Sequence, residues 1–354
     1  MKSKLAGLVI LLCVIAAGCI YYFGFASRPE TLVINGYLGG EKIGLLEDEQ
    51  VQEILEERYH LRIDYSRAGS LEMISADLTG RDYLFPSSPV ALEMYRETVG
   101  DPVSSEIIFN TPIVLYTYKE IADAFDQAGY LTDLGDGVRG IQLDMLAQDI
   151  LDGKQWADIG MDSLYGPMTV STTDPVKSNS GNMFAGLLAN VLAPDGVADM
   201  EDLDQILPEL KEIFEKSGYM ESSSSDLFQQ FLNTGMGARP VMAGYESQIL
   251  EFAAQNPQDW EVLKDEIVML YPVPTVWSSH PYIALNENGA LAAEALMDGE
   301  IQQIAWEKHG FRTGVSGASA DTSRFDVSGL ASVVNQVVSM PDYEVMARII
   351  EELS

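Results

Sequence analysis

Short apolar runs alternate with amphipathic stretches along most of the chain, and the two kinds repeat with different periods. LVING at 32–36 and LRIDY at 61–65 are compact apolar runs bounded by polar residues, which predicts strands. Between them, EDEQVQEILEERY at 47–59 places Val51, Ile54, Leu55 and Arg58 at one-face spacing, which predicts a helix. AGSLEMISADL predicts a helix starting at Gly69-Ser70. DYLF at 82–85 reads as a short strand, and PSSPVALEMYRE after it as a polar turn entering a helix. Such alternation predicts an α/β fold. EIIFNTPIVLYTY at 106–118 is long for one strand and carries Pro112 in its middle. Proline donates no ladder bond, so this run reads as two strands joined by a hinge at 110–112. VWSSHPYIALN at 276–286, interrupted by His280-Pro281, predicts a second hinge at 279–281. No internal repeat is present.

The most informative stretch is TTDPVKSNSGNMFAGLLANVL at 172–192, a polar turn running into an apolar helix. The first turn of a helix has backbone N–H groups with no intrahelical partner, and the aligned peptide dipoles make that end positive. Small side chains and a glycine at 178–181 let a polar or anionic group approach closely. The plainer reading is an N-cap, for which Ser and Asn are ordinary choices. Similar polar turns occur at 39–42, 69–70, 87–88, 110–111 and 245–246. In open parallel sheets, ligands bind at loops leaving the carboxyl ends of strands. The GxGxxG match at 135–140 lacks a buried strand before it, which a dinucleotide site requires, and reads as a glycine-rich loop between helices.

At 354 residues the chain is long enough for two lobes. With 54 acidic against 21 basic residues, its net charge of −33 opposes nucleic-acid phosphates and anionic lipid. A small anion responds more to local donors than to this screened field. Cys13 and Cys19 are the only cysteines, so the remainder holds no disulfide and no thiolate metal site. His60, His280 and His309 are scattered, no metal-ligand spacing appears, and no nucleophile motif is found, which points away from catalysis and from a cofactor. Trp277 is notable only for lying beside the second hinge.

Lys2 and Lys4 precede an apolar stretch over 5–26. Read as one helix it spans roughly 33 Å, enough to cross a bilayer with the lysines inside. Ala16-Ala17-Gly18-Cys19 also fits a lipoprotein signal, although IYYFGF follows where a polar tether is usual. Either reading tethers the bulk of the chain to the outer face of a cell membrane.

GGEKIGLLEDEQVQEIL, AGSLEM, DYLFPSSPVA, IFNTPIVLYT, TTDPVKSNSGNMFAGLLA, VMAGYESQILEF, YPVPTVWSSHPYIALN and IQQIAWEKHGFRTG stand in an order that resembles the bacterial extracellular solute-binding proteins of ABC importers, of the type 2 periplasmic-binding-protein fold. The resemblance implies two α/β lobes joined by two hinge strands. Its boundaries are 1–28 for the membrane or signal segment, 29–110 plus 282–354 for lobe 1, and 111–281 for lobe 2. It implies a monomer that captures a small solute and passes it to a membrane permease, with no reaction and no cofactor. Ligand contacts are implied at Gly40, Lys42, Ser70, Ser88, Ser178, Asn179, Ser180 and Tyr245. Hydroxyls, helix starts and Lys42 and Lys177 favour an anionic or carboxylate-bearing solute over a neutral sugar. A membrane-anchored sensor or partner-binding subunit on the same fold is the alternative, and an extracytoplasmic enzyme a third. Residues 325–354 extend past the usual end of such chains.

Overall fold

A computed structural model describes residues 12–18, 30–314 and 320–354. The expected anchor at 1–28 therefore lies largely outside the described residues, as does Cys19. Within it, 12–18 are helical and Cys13 is a free, exposed thiol. Among the described residues no helix is long and apolar enough to cross a membrane.

The body is a mixed α/β fold around a ten-stranded sheet whose order is β2 (Leu61–Arg67), β1 (Leu32–Leu38), β3 (Tyr83–Phe85), β9 (Trp277–Ala284), β4 (Ser104–Tyr118), β8 (Ile267–Val273), β6 (Val138–Gln142) and β5 (Leu131–Gly135), with β10 (Arg312–Thr313) and β7 (Val241–Tyr245) also on β4. β1 (Leu32–Leu38) lies parallel to β2 (Leu61–Arg67) and to β3 (Tyr83–Phe85). The alternating in–out burial of β1 follows the two-residue period of a strand. Short α1 (Ile43–Glu47) and α2 (Glu49–Tyr59) connect β1 to β2. The Asp48 side chain caps α2 by accepting from Gln50 N, and Val51, Ile54 and Leu55 face the core. Arg58, read with that apolar face, instead reaches outward to Asp298 and Glu300. The helix expected from 69 onward is a four-residue turn, α3 (Glu72–Ser75). The turn after β3 enters α4 (Pro89–Thr98).

β4 (Ser104–Tyr118) is one unbroken strand of 15 residues, not two. Its first part, to Pro112, pairs with β9 (Trp277–Ala284), and its second part pairs with β7 (Val241–Tyr245) and β8 (Ile267–Val273). Pro112 thus marks a change of partners within a continuous strand. The return link is 274–276, where Thr275 Oγ1 donates to Ile113 O at 2.6 Å. The second hinge expected at 279–281 is not found there. His280 and Pro281 lie inside β9, and Pro281 sits beside a bulge between Ile107 and Phe109, where a missing N–H is tolerated.

The second part of the molecule carries α5 (Lys119–Gln127), a hairpin of β5 (Leu131–Gly135) and β6 (Val138–Gln142), then α6 (Leu143–Leu151), α7 (Asn179–Leu192), α8 (Leu203–Ser217) and α9 (Ser224–Thr234). The GxGxxG segment is therefore a hairpin turn and not a loop between helices. Asp136 and Gly137, both at positive φ, make the tight reversal. Next come α10 (Glu246–Gln255) and α11 (Pro257–Leu263), then α12 (Glu287–Leu296), α13 (Gly299–His309), the short β10 (Arg312–Thr313) and α14 (Tyr343–Glu352).

Separate apolar clusters back the two parts. Ile34, Leu38, Phe85, Phe109 and Tyr282 join α2, α12 and α13 in one. A larger one gathers Ile113, Leu115 and the helices from α5 to α8. The tail, grouped by sequence with lobe 1, buries Val345, Met346 and Ile349 in that larger cluster. Their spacing forms one stripe on α14, which packs on α7 and α8 as well as α4.

Candidate functional site

Loops that leave the carboxyl ends of β1 and β2 face the start of α7 across a cavity of about 650 Å³. Its walls are 39–41 and 67–70 with Glu72 on one side, and 176–179 with 222–226 on the other. Small-molecule sites run from roughly 300 to 1,000 Å³, so the volume suits a small solute.

The wall follows from the sequence. Gly181 allows α7 to begin tight against the preceding loop, because a Cβ there would stand 2.2 Å from Thr173 O. Ser180 Oγ and Thr173 Oγ1 share a hydrogen bond of 2.7 Å that pins the same turn. Ser178 occupies the N-cap position, yet its side chain makes no capping bond, and the same holds for Ser88 at the start of α4. By contrast Asp48, Ser223, Asn286, Asp298 and Asp342 each accept from an N–H of their own helix. The plain N-cap reading of 178–181 thus fails on geometry.

The two uncapped helix starts are joined by Asn179, whose Nδ2 donates to Ser87 O at 2.8 Å and to Tyr245 Oη at 2.9 Å. Ser278 Oγ donates to the same Ser87 carbonyl, and Ser87 N donates to Ser70 Oγ. Beneath this layer the Lys42 ammonium is fully buried, 2.5 Å from both Glu41 Oε1 and Ser87 Oγ, with the Phe85 ring 4.8 Å away. Burial pulls its pKa down, opposed by the attraction of Glu41. Burial also raises the Tyr245 phenol well above its usual range, so it is neutral. It lowers the imidazole of His280 well below the ordinary value, with nearby Lys42 adding to the effect. Among the described residues, Ser88 Oγ, Asn179 Oδ1 and both polar atoms of Asn182 are buried with no hydrogen-bond partner. Buried polar atoms are seldom left so, because each costs about 1–3 kcal/mol.

No protein-family model and no curated relative matches the sequence. Solved structures do match. A substrate-binding protein of an ABC transporter from Agrobacterium tumefaciens superposes with a TM-score of 0.59 at 13% identity, over 93% of this chain and 95% of that one. The chain has the type 2 periplasmic-binding-protein fold. A periplasmic thiamin-binding protein gives 0.59 at 11% identity, over 91% and 95% of the two chains. AfuA of Actinobacillus pleuropneumoniae, solved with fructose-6-phosphate, gives 0.57 at 13% identity over 92% and 98%.

On this periplasmic-binding-protein scaffold the eight residues implied by sequence fall into two tiers. Gly40, Ser70, Ser178 and Asn179 line the cavity. Lys42, Ser88, Ser180 and Tyr245 are buried, in contact with that wall or continuous with it in the chain. Ser180 spends its hydroxyl on Thr173 and on Ser178, 3.2 Å away, which makes it a brace of the turn. Lys177 is turned onto Asp174 at 2.6 Å. Arg67, Asn182, Ser223 and Ser278 were not singled out from the sequence, whereas Glu41 and Ser87 lie in polar turns that were, without being named as contacts. Arg67 ends β2 and donates to Ser223 Oγ at 3.3 Å across the cavity. Its signal was positional: it stands two residues after the strand expected at 61–65 and two before Gly69-Ser70.

Proposed function

We propose that this chain is an extracytoplasmic solute-binding protein that captures a small anionic or carboxylate-bearing solute between two lobes and hands it to an ABC-type importer, with no reaction of its own. Lobe 1 in this reading is 29–112 with the segment from 277, because β9 pairs with β3 and the first part of β4 and so returns to lobe 1 earlier than the sequence boundary at 282; lobe 2 is 113–276, and the tail beyond 330 leans on lobe 2. The membrane segment at 1–28 holds the protein at the outer face, and the binding unit is a monomer. One observation carries the reading. Two helix starts with uncapped serines meet at Asn179, and Ser88 Oγ and Asn179 Oδ1 are left without partners beside a solute-sized cavity. Free N–H groups and helix dipoles favour an anion, and buried Lys42, paired with Glu41, braces the wall beneath them through Ser87. The contact set is Gly40, Ser70, Ser88, Ser178, Asn179 and Tyr245, with Lys42 and Ser180 supporting it.

A thermal-shift screen over oxyanions, organic acids, sugars and peptides tests this. A ligand at about 100 times its Kd adds roughly 2.7 kcal/mol, a readily visible shift. Stabilisation by neutral sugars alone would refute the anionic class. Scattering with and without the best anion tests closure, since rotation about 112–113 and 274–276 makes the particle more compact.

A second reading keeps the fold and drops transport. A structure described as a two-component system protein mediating signal transduction superposes at 0.53 over 91% of this chain with 12% identity. A membrane-anchored sensor or partner-binding subunit would bind the same solute. Uptake of that labelled solute by cells carrying or lacking the gene separates the two.

A further inference from the structure

Beside the main cavity lies a second, of about 30 Å³, walled by 69–72, 175–179 and Asn182. It shares the walls at Ser70, Ser178 and Asn179 with the larger one. Asn182 is only 3% exposed, and neither its Oδ1 nor its Nδ2 finds a partner among the described residues. An exchange of those two atoms would change nothing, because both are unpaired. The volume equals about one water's share of liquid, so it admits a single water-sized group. An amide presents an acceptor and a donor side by side. A carboxylate would satisfy only the donor and face Oδ1 unfavourably, and an ammonium would satisfy only the acceptor. A hydroxyl serves both.

The geometry points to Asn182 as a specificity residue that reads a hydroxyl group on the solute, next to the anionic group held at the α7 start. The ligand class is then a small hydroxylated organic anion, either a hydroxy acid or a polyol phosphate. This rests on the anion-binding reading given above and adds to it a neutral group one cavity away.

Calorimetric titration with matched pairs tests it: malate against succinate for carboxylates, and glycerol 3-phosphate against propyl phosphate for phosphates, with inorganic phosphate as the bare anion. In at least one pair the hydroxylated member should bind about tenfold tighter or more, the effect of one hydrogen bond in a closed site. Asn182→Ala should erase that preference and leave the deoxy member's affinity unchanged. Asn182→Leu, of nearly the same shape but with neither donor nor acceptor, keeps the fold if alanine does not, and should erase the preference as well. Equal binding within both pairs, or a preference that survives both substitutions, would mean Asn182 holds only a water, and anion capture would still stand. No binding of any of the five probes would overturn the anion reading and this inference together.

Discussion

Two buried polar clusters lie within this molecule, and they are finished to different degrees. Around Arg312, every group is matched. Its guanidinium donates to Glu246 Oε1 at 2.6 Å and Oε2 at 2.9 Å, and to the Ala331 and Ser332 carbonyls, between the rings of Trp277 and Trp306. Tyr271 Oη donates to Glu246 and accepts from Ala331 N. This ties β10, β8, α10 and the tail at the crossing strands. Around Asn179 the bonds are as many, but hydroxyl and amide atoms remain unpaired at the edge of a cavity. Folding alone accounts for the first cluster. The second carries a desolvation cost that a bound solute or ordered water would remove, which is why it is the cluster we propose as the site.

The sharpest way to break this contrast is Arg312→Met. It leaves Glu246 charged and buried, and should lower unfolding free energy by about 3–5 kcal/mol in denaturant titration. Arg312→Met with Glu246→Leu should recover most of the loss, since a matched apolar replacement is often neutral. A single mutant as stable as wild type would end the description of this cluster as a scaffold.

At the open cluster the expectation reverses. Ser88→Ala removes a hydroxyl that has no partner, so stability should hold or rise slightly. Affinity for the anion that stabilises best should fall by about 1.5–3 kcal/mol, or ten- to a hundredfold, in calorimetry. A loss of stability with unchanged affinity would place Ser88 with the scaffold.

His280 lies beneath the site, and its folded-state pKa is depressed below 6.5 by burial and then by Lys42. The unfolded chain takes up the proton first, so stability is full above pH 6.5 and is lost as pH falls from there through the folded value. The slope approaches about 1.4 kcal/mol per pH unit for one group. Paired carboxylates such as Asp48, whose pKa is lowered, act only nearer pH 4. Unfolding between pH 6.5 and 5 should therefore show this slope, and His280→Gln should flatten it.

The smallest effect is at the brace. Ser180→Ala should cost about 1 kcal/mol of stability through the lost Thr173 bond and leave affinity unchanged. A tenfold affinity loss would move Ser180 into the contact set.

Much of this was readable along the chain because the carrier signals are local. β1, β2, β3 and the helix after 178 follow from period and turn chemistry, and so do the polar turns that end up on the cavity wall. Three things were hidden for physical reasons. The continuity of β4 depends on partners far away in sequence, which compensate for Pro112. The hairpin at 131–142 is polar on its outer face, and its Asp136-Gly137 signal was overshadowed by the glycine pattern. Asn182 looks like one more residue of an apolar helix, and only the cavity against its amide reveals it. Which serines cap their helices and which do not is likewise a matter of a few ångströms set by the tertiary packing and not by the local sequence.

The crossing at Thr275 has one more consequence. Its backbone N–H donates to Gln336 O and its carbonyl accepts from Val338 N, while its side chain holds Ile113. Three passes of chain are thus laminated where two would join the lobes. A laminate bends less than its separate plies and favours shear and twist, so any rotation here resembles a leaf spring more than a door on a pin. Cutting the chain after residue 334 would remove one leaf and soften that spring, with every residue of the solute cavity left in place.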